Sequence, residues 1–262
     1  MINTDDTGEK LAKSLTADTT DIIPFLPYLL QDLWELGSSG QEMLSLLRQH
    51  VPVAACFTAL DLGCGKGAVS ITLAKALGMR CKGIDLIEDF IREAREKAIE
   101  HGVDGLCEFA VGNIKQAVLS ERGYDLVIFG AVGDVLGDRS ETLHGLMSVV
   151  RPGGYILLDD GYRLADDDRK LLFDSEYPTF DEWQVLFEKA GVLLVAYSPA
   201  EERLNDDRDF ECISRRAQEL IREYPQHREM FEHYVQNQRD EYDDLAERVV
   251  GVTKLLQKEA KL

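Results

Sequence analysis

Basic charge is scarce in this chain of 262 residues: 29 Lys and Arg stand against 48 Asp and Glu, a formal net charge of −19. A groove for nucleic-acid phosphates needs a concentrated positive surface, and the basic residues here are interspersed with acids rather than gathered in a stripe. That argues against RNA or DNA and for a small-molecule ligand, with a protein surface as the other option. Long apolar runs are also absent. Spanning a bilayer takes about 20 consecutive apolar residues, and the polar, acidic N-terminus lacks the apolar stretch of a signal peptide, so no membrane association is expected and the expected compartment is the cytoplasm. Cysteine is sparse: Cys56, Cys64, Cys81, Cys107 and Cys212 form an odd set without a Cys-x-x-Cys pair. Neither a disulfide framework nor a zinc site is indicated. With no heptad seam and no long exposed apolar segment, nothing in the sequence sets an oligomeric state.

What is present is an alternation. Apolar residues make up 45% of the chain, enough for one large core with an appended lid. Strands are predicted near 59–62, 80–85, 108–111, 126–129 and 155–158, with helices near 69–77, 87–101, 114–119 and 140–150 between them. This spacing implies an α/β fold with a mostly parallel sheet covered on both faces by helices. Ligands of such sheets bind outside the carboxyl ends of the strands. Residues 180–191 read as a further helix and 192–197 as a strand. Residues 209–247 are charged and helix-prone, broken at Pro225, and 249–256 is β-branched enough for a strand, with helix as the alternative. Residues 1–20 show no apolar periodicity and are expected to be mobile until a ligand orders them. In 22–36, Pro24 and Pro27 permit helix only from about the second proline onward.

The most informative stretch is Leu60-Asp61-Leu62-Gly63-Cys64-Gly65-Lys66-Gly67-Ala68-Val69, which is written as a strand, a tight turn and a helix start. Glycine serves where the backbone takes a positive φ or a ligand touches the main chain, and Gly63, Gly65 and Gly67 offer three such positions. The dinucleotide fingerprint is G-x-G-x-x-G, whereas this turn is G-x-G-x-G. A second apolar segment, Cys81-Lys82-Gly83-Ile84-Asp85-Leu86, closes on a carboxylate near the spacing at which an acid binds ribose hydroxyls. Asp85 is thus a candidate ribose ligand, and equally a helix N-cap. Cys64 inside the turn reads as a backbone-positioning residue before it reads as a nucleophile.

Asp61-x-Gly63-x-Gly65-x-Gly67 with Gly83-Ile84-Asp85, followed by Gly112-Asn113-Ile114, Tyr124-Asp125-Leu126-Val127-Ile128-Phe129-Gly130 and Arg151-Pro152-Gly153-Gly154-Tyr155-Ile156-Leu157-Leu158, resembles the class I S-adenosylmethionine-dependent methyltransferases. The resemblance covers roughly residues 55–198. It implies a Rossmann-like core over 51–198, an N-terminal helical segment or lid over 1–50, and a helical insertion plus a last, antiparallel strand over 199–262. It also implies S-adenosyl-L-methionine as cofactor and a small-molecule methyl acceptor as partner. Carried over by position, Asp61 anchors the cofactor's amino group, the turn holds its methionine part, Asp85 binds the ribose hydroxyls and Leu86 lies against adenine. Asn113, where the family more often has Asp, receives the adenine amino group. The implied cofactor set is Asp61, Gly63, Cys64, Gly65, Gly67, Asp85, Leu86, Asn113, Ile114, Phe129 and Gly130.

A sulfonium methyl is already activated, so alignment and exclusion of water are the main tasks and no fixed catalytic triad is expected. Candidate acceptor contacts are Tyr28 and Trp34 from the lid, Asp134 after the fourth strand, and Asp160, Tyr162 and Arg163 in what reads as the loop after the fifth. Asp134 with Asp159 and Asp160 would also suit a divalent cation, as in a metal-assisted O-methyltransferase, although the leading expectation is no metal. Two further readings stay open: a catalytically idle cofactor-binding module, and a nicotinamide-dependent oxidoreductase, for which the glycine spacing is wrong.

Overall fold

The computed structural model describes residues 4–54, 56–164, 177–199 and 206–260. Its centre is a seven-stranded sheet built from β1 (Thr58–Leu62), β2 (Arg80–Asp85), β3 (Cys107–Val111), β4 (Tyr124–Gly130), β5 (Val150–Arg163), β6 (Val192–Pro199) and β7 (Val249–Lys258), in the order β3-β2-β1-β4-β5-β7-β6. β1 to β5 pair in parallel, and β7 inserts antiparallel between β5 and β6. The order reverses at β1, between β2 and β4, so the crevice at the carboxyl end of β1 is the switch point where ligands of doubly wound sheets bind.

Both faces are covered, and the strand sequences show why. Side chains alternate across a strand, so Ala59, Leu126, Ile128, Leu157 and Leu255 enter one core while Leu60, Val127, Phe129, Leu158 and Leu256 enter the other. The first is closed by α3 (Gly40–His50), α4 (Ala68–Leu77) and α5 (Glu88–Glu100), through residues such as Met43, Ile71 and Ile91. The second is closed by α6 (Ile114–Ser120), α7 (Arg139–Val149) and α8 (Phe180–Ala190), through Ala117, Leu146 and Trp183. Runs apolar at every position, as in 126–129, are the signature of strands buried on both faces.

A third core lies apart from the sheet. It joins α1 (Thr4–Ser14), a 3₁₀ turn (Thr20–Phe25) and α2 (Leu26–Leu29) to the hairpin of α9 (Asp206–Glu223) and α10 (Arg228–Glu247), packing Ala12, Leu26, Leu29, Ile213, Leu220 and Phe231 together with Ile87, just before α5, and Phe90 within it. Among the described residues no helix is long and apolar enough to cross a membrane.

Three expectations need correction or completion. Residues 4–14 form α1 rather than an irregular segment: Ala12 is 1% exposed, and the helix is held by tertiary packing on the third core, which a short polar sequence does not display. The fifth strand is longer than 155–158. Asp160, Tyr162 and Arg163 stand inside β5, paired in register with Val252, Val250 and Val249 of β7, because the β-branched partner strand extends the ladder past the apolar run. Residues 249–256, open between strand and helix, belong to β7.

Candidate functional site

Between β1 and α4 the chain turns on three glycines in the left-handed region, Gly63 (φ +76), Gly65 (φ +51) and Gly67 (φ +76). The turn is tied to the next strand, since the N–H groups of Gly63 and Cys64 both donate to Ile84 O, at 2.8 and 3.1 Å. Its glycines have different reasons. A Cβ on Gly63 would stand 2.8 Å from Val132 Cγ2, whereas one on Gly67 would stand 2.7 Å from the Phe109 ring. Gly67 therefore lets α4 approach β3, while Gly63 and Gly65 line a cleft.

That cleft holds about 620 Å³ of empty space, its open mouth included, and is walled by Thr7, Leu11, Ser14 and Leu15 of α1 with Leu36, Gly63, Gly65, Asp85, Leu86, Phe90, Gly112, Asn113, Ile114, Gly130, Ala131, Val132 and Val135. Asp85, 8% exposed, accepts from Gly65 N–H at 2.9 Å and from Ile87 N–H at 2.9 Å. It is thus both a cap for the chain entering α5 and a cleft carboxylate, since each oxygen keeps a further acceptor direction. Burial raises its pKa, against the hydrogen bonds from Ile87 and Gly65. Asp61 lies deeper, 3% exposed, and accepts from Ser70 Oγ at 2.7 Å. Burial pushes its carboxyl up to about 7, with the Ser70 bond opposing and the nearby Asp85 charge reinforcing the rise.

Of the other positions singled out in the sequence, Leu86 reaches the cleft with 38% exposure, and Ile114 and Gly130 line it. Asn113 lines it too, but its Oδ1 accepts from Lys115 N–H at 2.8 Å as the N-cap of α6 and its amide faces Thr7 Oγ1 at 3.5 Å. Phe129 is a core residue, 3% exposed. Cys64 packs its Sγ against Gly83, and burial pushes its thiol up, ahead of repulsion from Asp61 and Asp85, which opposes a nucleophilic role.

The acceptor candidates fall elsewhere. Tyr28 donates to Glu219 at 2.7 Å and Trp34 stacks on His101 at 5.0 Å, and neither lines the cleft. Asp134 and Asp160 share Arg139, at 3.5 and 3.7 Å, and burial raises the Asp160 pKa. Tyr162 packs on Phe180, and Arg163 lies 4.0 Å from Glu182. Among the described residues no group of three or more His, Cys, Asp or Glu side chains is placed to hold a metal ion.

Sequence reasoning missed the α1 wall, Leu36 and Phe90, but it looked for acceptor contacts in the stretch after β4, where Ala131 and Val132 line the cleft. There Ala131 adopts φ +53, an uncommon conformation for a residue with a side chain. It also missed Ser38, which is 7% exposed, packs its Oγ against Gly130 and leaves that oxygen without a hydrogen-bond partner. The signal for Ser38 existed only as a Gly-Ser-Ser-Gly break between helices.

A switch-point cleft with a glycine floor and one buried carboxylate at its edge defines a nucleoside-cofactor protein of the doubly wound α/β class. Residues 56–195, more than half of the chain, match the family model described as a methyltransferase domain. Methyltransferase GfsG of Streptomyces halstedii is 24% identical over 125 residues, 48% of this chain and 45% of that protein. The 27-O-demethylrifamycin SV methyltransferase of Amycolatopsis mediterranei is 26% identical over 125 residues, 48% and 46% of the two chains. The match spans less than half the length of these curated relatives. A crystal structure of an S-adenosylmethionine-dependent methyltransferase from Geobacter sulfurreducens, in complex with S-adenosyl-L-homocysteine, superposes with a TM-score of 0.77 at 19% identity, covering 90% of this chain and 98% of that one. The chain belongs to the S-adenosylmethionine-dependent methyltransferase family.

The residues present fit that cofactor. Gly63 and Gly65 form a cradle that side chains would obstruct, Asp85 offers acceptor directions to hydroxyls, and the buried, unpartnered Ser38 hydroxyl packs on Gly130, which lines the cleft.

Proposed function

We propose that this protein transfers a methyl group from S-adenosylmethionine directly to a small-molecule acceptor. In this reading Asp85 accepts from the ribose hydroxyls, Leu86, Asn113 and Ile114 flank the adenine, and Gly63 and Gly65 lie against the methionine part with Asp61 beneath them. Ser38 donates to a polar atom at the Gly130 end. When bound, the cofactor supplies an activated methyl group, which leaves the chain two tasks: alignment and exclusion of water. Leu11, Leu15, Leu36, Val132 and Val135 give the cleft an apolar wall suited to the second.

The observation that carries this reading is the meeting of a side-chain-free turn and one buried carboxylate in a single, otherwise largely apolar cleft. Among the described residues lining it, Asp85 alone is titratable. That favours an acceptor which reaches its nucleophilic form without a base from the cleft wall. The named acceptor of the Amycolatopsis relative and the net charge of −19 support a small molecule over nucleic acid. Metal assistance is not favoured, since Asp134 and Asp160 are paired with Arg139.

The test is incubation with methyl-labelled S-adenosylmethionine and separate metabolite, peptide and RNA fractions. Label is expected in the metabolite fraction. Label in RNA or peptide would overturn the acceptor class, and binding without transfer to any fraction would favour an idle module.

A further inference from the structure

One side chain of the glycine turn has no part in the cofactor reading. Lys66, between Gly65 and Gly67, is 1% exposed. Its ammonium donates to Leu30 O at 2.9 Å and Leu33 O at 2.7 Å, pairs with Glu93 at 3.0 Å and lies 5.9 Å from the centre of the Phe90 ring. A helix end leaves carbonyls without partners, and Lys66 takes two from the segment just beyond α2. An ammonium this deeply buried persists only with its donors engaged, and these engage the lid segment on one side and α5 on the other.

The chain immediately beyond Leu33 turns those contacts into a clamp. Trp34 Nε1 donates to Lys66 O at 3.4 Å, and Gly40 N–H donates to Glu35 Oε1 at 2.9 Å. The strap 34–40 is thus stitched to the turn at its base and closed on itself at its neck. Between the two stitches it touches the cleft wall at successive residues. Leu36 Cδ1 would meet a Cβ on Gly65 at 3.2 Å, Gly37 approaches Ala131, and Ser38 packs on Gly130.

We infer that Lys66 is a positioning residue: acting through the Leu30 and Leu33 carbonyls, it holds the strap over the methionine end of the cleft, so that cofactor turn and strap order as one unit. The inference rests on the proposed cofactor reading. A lysine that merely capped α2 would contribute stability and nothing to ligand affinity. A lysine that couples turn to strap makes ligand binding order the strap and strap order favour ligand, because linkage is reciprocal.

S-adenosylhomocysteine is the probe, with calorimetry for affinity and hydrogen exchange for order. The control is Lys258→Met, because Lys258 likewise donates to two carbonyls, Met147 O at 2.6 Å and Val150 O at 2.9 Å, but lies beside the start of β6, opposite Val192. Lys66→Met is expected to weaken binding about tenfold or more and to raise exchange in 30–40, while Lys258→Met lowers the melting temperature and leaves affinity within about twofold. Affinity in Lys66→Met equal to wild type, or reduced no more than in Lys258→Met, overturns the inference. If Lys66→Met does not fold, the wild type decides: bound S-adenosylhomocysteine must slow exchange in 30–40, and unchanged exchange overturns the coupling. Failure of the wild type to bind the probe at all would instead bring down the cofactor reading, and this inference with it.

Discussion

Asp61 in β1 and Asp85 at the end of β2 are both buried carboxyls whose pKa burial raises. Asp61, 3% exposed and raised to about 7 by burial, favours its neutral form in the fold more than in the unfolded chain. A carboxyl with a raised folded pKa binds more protons folded than unfolded, so its contribution to stability falls as pH rises from the unfolded value near 4 toward 7. Between pH 5 and pH 8 wild type should lose about 2 kcal/mol relative to Asp61→Asn, measured by urea unfolding at both pH values; equal slopes would contradict the assignment. Gly67→Ala, which forces a Cβ to 2.7 Å from Phe109 at φ +76, should cost about 2 kcal/mol or more of stability, because that glycine faces β3. Ser38→Ala removes a buried hydroxyl without a partner. It should leave melting unchanged or slightly raised while weakening S-adenosylhomocysteine binding about fivefold, a fall in both being the contrary result. The glycines and Asp85 were legible in the sequence because local backbone geometry dictates them. Lys66 and Ser38 were not, since the carbonyls that hold Lys66 belong to Leu30 and Leu33, and Ser38 packs on Gly130 from a distant part of the chain.

At the scale of elements, the sheet was legible and the helices of the third core only in outline. Strands buried on both faces announce themselves as apolar runs, which is why β1, β2 and β4 lie within a residue or two of expectation. α1 and the far half of β5 did not announce themselves: one takes its helicity from packing, the other its length from β7. The N-terminal segment and α9 are clasped by charge. Asp32 accepts from Arg216 Nε at 2.7 Å and Arg215 Nη2 at 2.8 Å, and Arg216 above all, with Arg215, lowers its pKa to about 2. A depressed carboxylate contributes above its unfolded pKa and loses that contribution as pH falls toward 2. The clasp is partly exposed, so screening keeps it to about 1 kcal/mol or less. Asp32→Ala should accordingly raise hydrogen exchange in α2 and α9 together, leaving the sheet strands protected. Uniform exchange across the molecule would show that the third core has no independent opening.

For the whole molecule, the claim that everything functional depends on is that the switch-point crevice takes an adenosyl ligand through Asp85 and the glycine turn. The sequence pointed to this site through four motif blocks in order, while the acceptor side stayed illegible because Asp134, Asp160, Tyr162 and Arg163 are engaged in ion pairs and a strand ladder that spacing does not reveal. The most direct measurement is calorimetric titration of wild type and Asp85→Ala with S-adenosylhomocysteine and with NAD, alongside melting temperatures. Wild type should bind S-adenosylhomocysteine and not NAD, and Asp85→Ala should lose about 10²-fold in affinity while still melting cooperatively. Binding of NAD alone, or S-adenosylhomocysteine affinity untouched by Asp85→Ala, would contradict it.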